Sequence, residues 1–260
     1  MSGARSQGAG PSRQPPASPL LERTPREIAG MFDAIAGRYD LLNHVLSAGM
    51  DLYWRARAVR ALRLAGHEVV LDLCTGTCDL ALALRRSRRA RRVVGLDFSA
   101  AMLRVGLTKV RAARHGDSIP LVRGDAMHLP LADASVDGVT MAFGLRNVQQ
   151  PASALAEVAR VLRPGGRLAI LEFGTPRIPL VRSLYLWYFR HVLPRIGRLV
   201  SRHRDAYTYL PASVDAFARP EQVATTIEGQ GLSAVQTVRL SLGVVYMYAA
   251  AKPTAEPRAA

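Results

Sequence analysis

Val69-Val70-Leu71-Asp72-Leu73 is an apolar run of strand type, and it delivers the chain into Cys74-Thr75-Gly76-Thr77-Cys78-Asp79, a turn of small and polar residues. Twenty residues after Thr77, a second apolar run, Val93-Val94-Gly95-Leu96, ends on Asp97. A small-residue turn behind one strand and an acid at the end of the next is how a doubly wound sheet holds a nucleoside: backbone N–H groups meet one end, and the carboxylate accepts from both ribose hydroxyls. The turn lacks G-x-G-x-x-G, so a dinucleotide pyrophosphate is poorly served. Two later stretches fall at strand ends, where ligands of open α/β sheets collect. Gly124-Asp125-Ala126 offers a carboxylate and a backbone N–H to an adenine edge. Ala142-Phe143-Gly144-Leu145-Arg146-Asn147 puts Arg146 and Asn147 at the end of a buried strand, where a charge must face a cleft or meet a partner. Contact with a substrate oxygen and a structural ion pair are the two readings. Cys74 and Cys78 have no partner His or Cys nearby, a poor set for a metal, so both read as small loop residues and no metal is expected.

The elements that must position these residues follow from periodicity. Residues 28–48 and 51–64 read as two amphipathic helices, with Ile28, Met31, Phe32 and Ile35 on one face of the first. Strands and helices then alternate: strand 69–73, helix 78–88, strand 92–97, helix 99–114, strands 119–123 and 136–142, helix 151–162 and strand 167–173. Asp79 reads as the better helix cap and Ser99 as the weaker one. Arg163-Pro164-Gly165-Gly166 stops a helix and turns into a strand. Residues 176–218 break the alternation; helix 220–230 and strands 232–240 and 243–251, joined near Ser241-Leu242-Gly243, close the sheet. The expectation is an α/β fold with a mostly parallel sheet covered by helices on both faces.

A chain of 260 residues with 49% hydrophobic content supports one large domain with an elaborated cap. Its net charge of +15 is carried almost wholly by arginine, since Lys109 and Lys252 are the only lysines. Such a surface suits an anionic partner, although arginine-favouring codons alone also produce it. Two cysteines make no disulfide framework, so a reducing compartment is the default. No apolar run is long enough for a spanning helix, and the Pro-, Ser- and Arg-rich start lacks the apolar core of a secretory signal. Residues 1–27 and 253–260 read as tails, the first disordered. In Pro179 to Arg204, Leu180, Leu184, Tyr188 and Val192 fall at helical spacing beside Tyr185, Trp187 and Phe189, among six arginines with Arg177 just ahead. Aromatics with long cationic side chains suit a membrane interface or the mouth of a lipophilic pocket; a plain packed helix is the alternative. His191 and His203 in this segment read as structural or exposed before they read as proton carriers.

Asp72 within D-x-x-x-G-T resembles motif I of class I methyltransferases, which bind S-adenosyl-L-methionine. Three longer pieces are similar to the menaquinone/ubiquinone biosynthesis C-methyltransferases: Phe32-Asp33-x4-Arg38-Tyr39-Asp40-x-x-Asn43-x-x-Leu46-Ser47-x-Gly49 with Trp54; Phe143-Gly144-Leu145-Arg146-Asn147-Val148; and Arg160-Val161-Leu162-Arg163-Pro164-Gly165-Gly166-Arg167-Leu168, reaching Glu172-Phe173. His191 to Gly197 and Tyr207-x-Tyr209-Leu210 are similar too. The resemblance covers residues 28–252 and implies a Rossmann-like seven-stranded class I methyltransferase. Its parts are a helical cap (28–64), a cofactor-binding core (65–175), an inserted helical substrate and membrane segment (176–218), and a C-terminal helix with a strand hairpin (219–252). Chain and family differ at Cys78, Asp51, Leu42, Ala142 and Gly174, where glycine, histidine, methionine, serine and serine are usual.

The resemblance implies S-adenosyl-L-methionine as cofactor, with Thr77, Asp97, Asp125, Ala126, Asp72 and Gly76 around it. It implies methyl transfer to a ring carbon of demethylmenaquinol, with a polyprenyl benzoquinol of ubiquinone synthesis as the alternative substrate. Arg146 is expected to stabilise the quinol oxygen with Asn147 orienting it, while Tyr39 and Asp40 close over the ring. Expected partners are the prenylated quinol and the membrane surface; a homodimer is compatible with the residues without being read from them. The expected location is cytoplasmic, against the inner face of the membrane. Nucleic acid is not expected, because the positive charge is interleaved with apolar residues; a basic nucleic-acid methyltransferase stays the distant alternative.

Overall fold

Thr24 starts the first helix, α1 (Pro25–Ile35): its hydroxyl accepts from the Glu27 N–H at 3.3 Å, and its own N–H donates to the Glu27 carboxylate at 2.7 Å. With Pro25 at the first helical position, this reciprocal cap fixes a start three residues ahead of the expected one. The computed structural model describes residues 24–192, Arg195 and residues 205–254. The expected N-terminal tail up to residue 23, His203 and most of the arginine run after Val192 lie outside the described residues. The expected single helix over 28–48 is two: a 3-10 turn at Ala36–Arg38 separates α1 from α2 (Tyr39–Leu46). Gly49, at φ +77°, then turns the chain into α3 (Met50–Ala61).

The alternation follows as expected: β1 (Val69–Leu73), α4 (Asp79–Arg86), β2 (Arg92–Asp97), α5 (Ala100–Ala112), β3 (Leu121–Arg123), β4 (Val136–Ala142), α6 (Pro151–Val161) and β5 (Leu162–Phe173). Ser99 is the true cap, its hydroxyl accepting from the Met102 N–H at 3.1 Å. Asp79 is not a cap: the residue ahead of α4 is Cys78, left-handed at φ 68°, with no side-chain cap bond, and Asp79 lies inside the first turn. The start of β5 is five residues earlier than expected. Leu162 already pairs with Val136 and Arg167 with Gly138, so Arg163-Pro164-Gly165-Gly166 bulge out between paired positions.

Residues 176–218 supply α7 (Pro179–Trp187), a five-residue π turn (Tyr188–Val192) and α8 (Asp205–Ala216). The chain ends in α9 (Pro220–Gly229), β6 (Ser233–Leu240) and β7 (Val245–Ala251), with a 3-10 turn at Ser241–Gly243 between the strands. The seven strands form one sheet in the order β3-β2-β1-β4-β5-β7-β6. The first five run parallel, and β7 lies antiparallel between β5 and β6.

Successive strand residues face opposite sides, so Leu71 and Leu73 pack with Leu155 and Val158 of α6 and Ile227 of α9. Val70 packs with Ala58 and Leu62 on the α3 side and Leu82 and Leu84 of α4. Each fully buried leucine contributes roughly 1.5–3 kcal/mol of hydrophobic stabilisation, which fixes the register of the central strands. The neighbours β1 and β4 are the point where strand order reverses, and crevices in such sheets open there.

Candidate active site

A cavity of ≈ 130 Å³ opens at the carboxyl ends of β1, β2 and β4. Four residues expected around the cofactor, Gly76, Asp97, Asp125 and Ala126, line it together with Cys74, Gly144 and Asn147. Asp97 holds the turn it faces: Oδ2 accepts from the Gly76 N–H and Oδ1 from the Ser99 N–H, both at 2.8 Å. Burial pushes its carboxyl above the ordinary range despite those bonds. Asp125 Oδ1 accepts from the Met127 N–H at 2.9 Å. Gly144 must be glycine, because a Cβ there would sit 2.5 Å from the Cβ of Cys74.

Two expected cofactor residues lie elsewhere. Asp72 is buried inside β1 and does not line the cavity. Its two oxygens accept from the Thr75 hydroxyl at 2.6 Å and the Thr140 hydroxyl at 2.7 Å. It ties the turn to β4, and burial pushes its carboxyl up to about 6. Thr77 is likewise buried off the cavity, with its hydroxyl donating to Asp40. Asp40 in turn lines neither cavity: Lys109 of α5 donates to it and to Asp79, each at 2.5 Å. Neighbouring residues on a helix point about 100° apart, so Tyr39 faces the cavities while Asp40 faces this ion cluster. Cys78 is buried, its thiol pushed up to about 12 mainly by desolvation, and Gly106 leaves the space its sulfur fills.

The cap closes the smaller cavity. Ile28, Ala29, Phe32 and Tyr39 line it, and Asp33 ties α1 to the start of α5 by accepting from the Ser99 hydroxyl and, at 3.1 Å, the Ala101 N–H. Sequence reasoning missed Asp33 and Lys109 as cap anchors, because their partners lie 66 to 69 residues away.

A second cavity of ≈ 610 Å³ lies beneath α2, α3 and α7. Its lining is mainly apolar and aromatic. Phe143 and Phe173 stack at 4.4 Å, with Trp54 edge-on to both at 6.0 and 6.2 Å. Trp54 is fixed by an Nε1–H bond of 2.8 Å to the Ser241 hydroxyl. Arg146 enters this wall with its guanidinium 5.4 Å from the Phe173 ring centre. Its Nη1 donates to Glu172 and to the Phe143 carbonyl, both at 2.7 Å, and its Nε to Ser213 at 3.4 Å. The ion-pair reading of Arg146 is met by Glu172, and the side chain also borders a cavity. Asn147 lines the smaller cavity instead; its Oδ1 accepts from the Tyr209 hydroxyl at 3.1 Å. Sequence reasoning gave Glu172 no role; the signal was a carboxylate at the end of a buried strand, and the register Ala142 to Leu171 sets it beside Arg146. His191, exposed, bonds the Trp187 carbonyl and lines neither cavity.

The two cavities share Phe32, Tyr39 and Phe143. The charged residues among those lining the smaller one are Asp97 and Asp125, both acids, a wall suited to a cationic nucleoside and unsuited to phosphates.

The model of the ubiE/COQ5 methyltransferase family matches residues 21–252, and the chain belongs to that family. It is 44% identical over 233 residues to the demethylmenaquinone methyltransferase of Mycolicibacterium paratuberculosis (strain ATCC BAA-968 / K-10), covering 90% of this chain and 97% of that one. It is 43% identical to the ubiquinone/menaquinone biosynthesis C-methyltransferase UbiE of Geotalea daltonii (strain DSM 22248 / JCM 15807 / FRC-32), covering 87% and 96%. Among solved structures, the [4+2]-cyclase SpnF superposes with a TM-score of 0.67 at 16% identity, covering 89% of this chain and 97% of that one. An S-adenosylmethionine-dependent methyltransferase from Aquifex aeolicus does so at 0.57 and 17%, covering 89% and 100%. These two carry the fold alone. The protein is a class I methyltransferase, and S-adenosyl-L-methionine is its methyl donor. Among the described residues no helix is long and apolar enough to cross a membrane.

Proposed function

We propose that this enzyme methylates a ring carbon of demethylmenaquinol, giving menaquinol. The observation that carries the reading is the common wall of Phe32, Tyr39 and Phe143 between an acid-lined nucleoside cavity and a large aromatic one. The names of relatives such as that from Mycolicibacterium paratuberculosis support the ring system. The name of the Geotalea daltonii relative keeps a polyprenyl benzoquinol as the second reading.

The methyl donor, when bound, supplies an electrophilic sulfonium methyl. Asp97 accepts from the ribose hydroxyls and Asp125 from the adenine edge. The stack of Phe143 and Phe173 with Trp54 receives the flat quinol ring and excludes water, so that alignment contributes most of the acceleration. Arg146 spends Nε and Nη1 on Glu172, Phe143 and Ser213; Nη2 carries no bond among the described residues and is the donor left for a quinol oxygen. The prenyl tail leaves past Val45, Met50, Leu184 and Trp187, which line the larger cavity and are exposed. That rim, continued by Leu180 and flanked by exposed Arg182 and Arg195, rests on an anionic bilayer surface.

The test is methyl transfer from S-adenosyl-L-methionine to chemically reduced demethylmenaquinone, with lipid extracts read by mass spectrometry. A product heavier by one methyl, absent with the oxidised quinone, supports the reading. No product with cofactor binding intact by calorimetry moves the assignment to the benzoquinol.

A further inference from the structure

Methylation of a quinol ring carbon releases one proton for each methyl transferred, and the cavity that receives the ring must give that proton a way out. The acceptors on its wall are few. Arg55 and Arg146 are cations and donate only. Burial raises the phenols of Tyr39, Tyr185 and Tyr188, so each stays protonated. Among the described residues no histidine or glutamate lines it, and the one carboxylate that does is Asp51.

Asp51 is 2% exposed, at the first turn of α3. Its Oδ1 accepts from the Ser47 hydroxyl at 2.9 Å. Its Oδ2 is bonded by Arg55 and lies 2.7 Å from His44 Nδ1 on α2. The His44 side chain is 39% exposed, so this pair joins the buried cavity to solvent. The other charges facing the pair are Asp79 of α4, 3.5 Å from Arg55, and Lys109 of α5 behind Asp79. Arg55 thus shares its charge between two carboxylates, and Asp79 has Lys109 as a second cation.

We propose that Asp51 is a catalytic residue that takes the proton released by the quinol, and that His44 is the positioning residue that passes it to water. The proposal rests on the quinol reading above. As the ring carbon forms its bond to the methyl, the carbon–sulfur bond breaks and its electron pair stays on sulfur. The ring oxygen becomes a cationic C=O–H, and its O–H pair falls back to give the neutral carbonyl while the proton moves to Asp51. The ring C–H proton then shifts to that carbonyl oxygen, restoring aromaticity with one proton lost in all. The hydrogen bond from His44 and the charge of Arg55 hold the Asp51 carboxyl below the ordinary range against the opposing effect of burial. So weak a base suffices, because a protonated carbonyl is a far stronger acid. It also releases its proton readily to His44, whose Nδ1 takes it when the imidazole carries its own hydrogen on the solvent-side Nε2.

Asp51→Asn and His44→Gln test this on the full chain. Expected for Asp51→Asn is a fall in kcat of roughly 100-fold. The quinol KM, the calorimetric cofactor Kd and quenching of tryptophan by the oxidised quinone should stay within about threefold of wild type. Asp51→Glu should recover part of the rate. His44→Gln should lower kcat at unchanged KM, and imidazole added to the buffer should restore it. Folded Asp51→Asn enzyme with kcat within about threefold of wild type overturns the proposal, as does a loss confined to KM. If Asp51→Asn fails to fold, His44→Gln decides at its half-exposed position: wild-type kcat, or a loss that imidazole does not restore, overturns it. Wild-type protein that leaves every quinol unmethylated overturns the quinol reading instead, and the two failures are distinguished.

Discussion

Arg146 Nη1 and Glu172 Oε1 lie 2.7 Å apart with both side chains buried, joining the loop after β4 to the end of β5 beneath the larger cavity. The pair fixes the guanidinium against the Phe173 ring and leaves Nη2 without a bond among the described residues. Removing one partner strands the other charge. Arg146→Ala should therefore cost about 3–5 kcal/mol in denaturant unfolding and also lower turnover. Arg146→Leu with Glu172→Leu should recover much of the stability and none of the turnover. Activity returning with stability would make Arg146 structural alone.

Asp97 and Asp72 are acids on neighbouring strands with different duties. Asp97→Ala removes the cavity carboxylate, and loss of charge-assisted bonds worth about 1.5–3 kcal/mol should weaken cofactor binding by roughly 10- to 100-fold in calorimetry. Asp72→Asn should leave that affinity within about threefold, because Asp72 lies off the cavity and is bonded by Thr75, Thr140 and the Ala81 backbone. Equal losses would place Asp72 at the cofactor after all.

The raised carboxyl of Asp72 sets a pH dependence of known sign. Its folded value of about 6 lies above the ordinary aspartate value of 3.8, so between them the folded protein holds more protons than the unfolded chain. Stability attributable to this group is present below pH ~4 and falls as pH rises to about 6, by about 3 kcal/mol in all. Unfolding free energies of wild type minus Asp72→Asn should decline across that window. A flat difference would contradict the buried, desolvated environment.

The sheet was legible because its signals are local. Apolar runs of strand length alternate with amphipathic helices, and Asp97 and Asp125 close their strands within a few residues of the motifs that marked them. Asp72 was misplaced because sequence spacing does not reveal that Thr75 and Thr140, the second 68 residues away, claim both its oxygens. Asp40 failed for the same reason, its partner Lys109 being 69 residues distant. The break at Ala36–Arg38 divides a pattern whose apolar face continues across it, so periodicity alone ran the two helices together. Cap residues reversed where conformation outweighed residue type: Asp79 follows a left-handed Cys78, and Lys109 draws its carboxylate away from the helix start.

Lys109 holds the cap through Asp40 and the core through Asp79, with side chains 18–26% exposed. Lys109→Met should release α2 from α5 while leaving both cavities lined as before. Partial exposure limits the expected cost to about 1 kcal/mol. Hydrogen exchange should accelerate over residues 25–46, and bound cofactor should dissociate faster, because Phe32 and Tyr39 cover its cavity. Unchanged exchange in the cap would show that Asp33 and apolar packing alone hold it.

Leu184 and Trp187 remain 64% and 54% exposed although both line the larger cavity, an arrangement that leaves apolar surface in water beside its opening. Leu180, one turn earlier, is 81% exposed, so α7 turns one apolar face outward and buries Tyr185 on the other. An apolar face flanked by arginines binds an anionic interface through burial and attraction together. Replacing Leu180 and Leu184 with Asp should weaken sedimentation with phosphatidylglycerol vesicles by more than 10-fold. Turnover of a short-chain quinol in detergent-free buffer should stay near wild type, whereas turnover of a long-chain quinol held in vesicles should fall. Unchanged sedimentation would remove α7 from the membrane-facing surface, and parallel loss on both quinols would assign the face to the cavity itself.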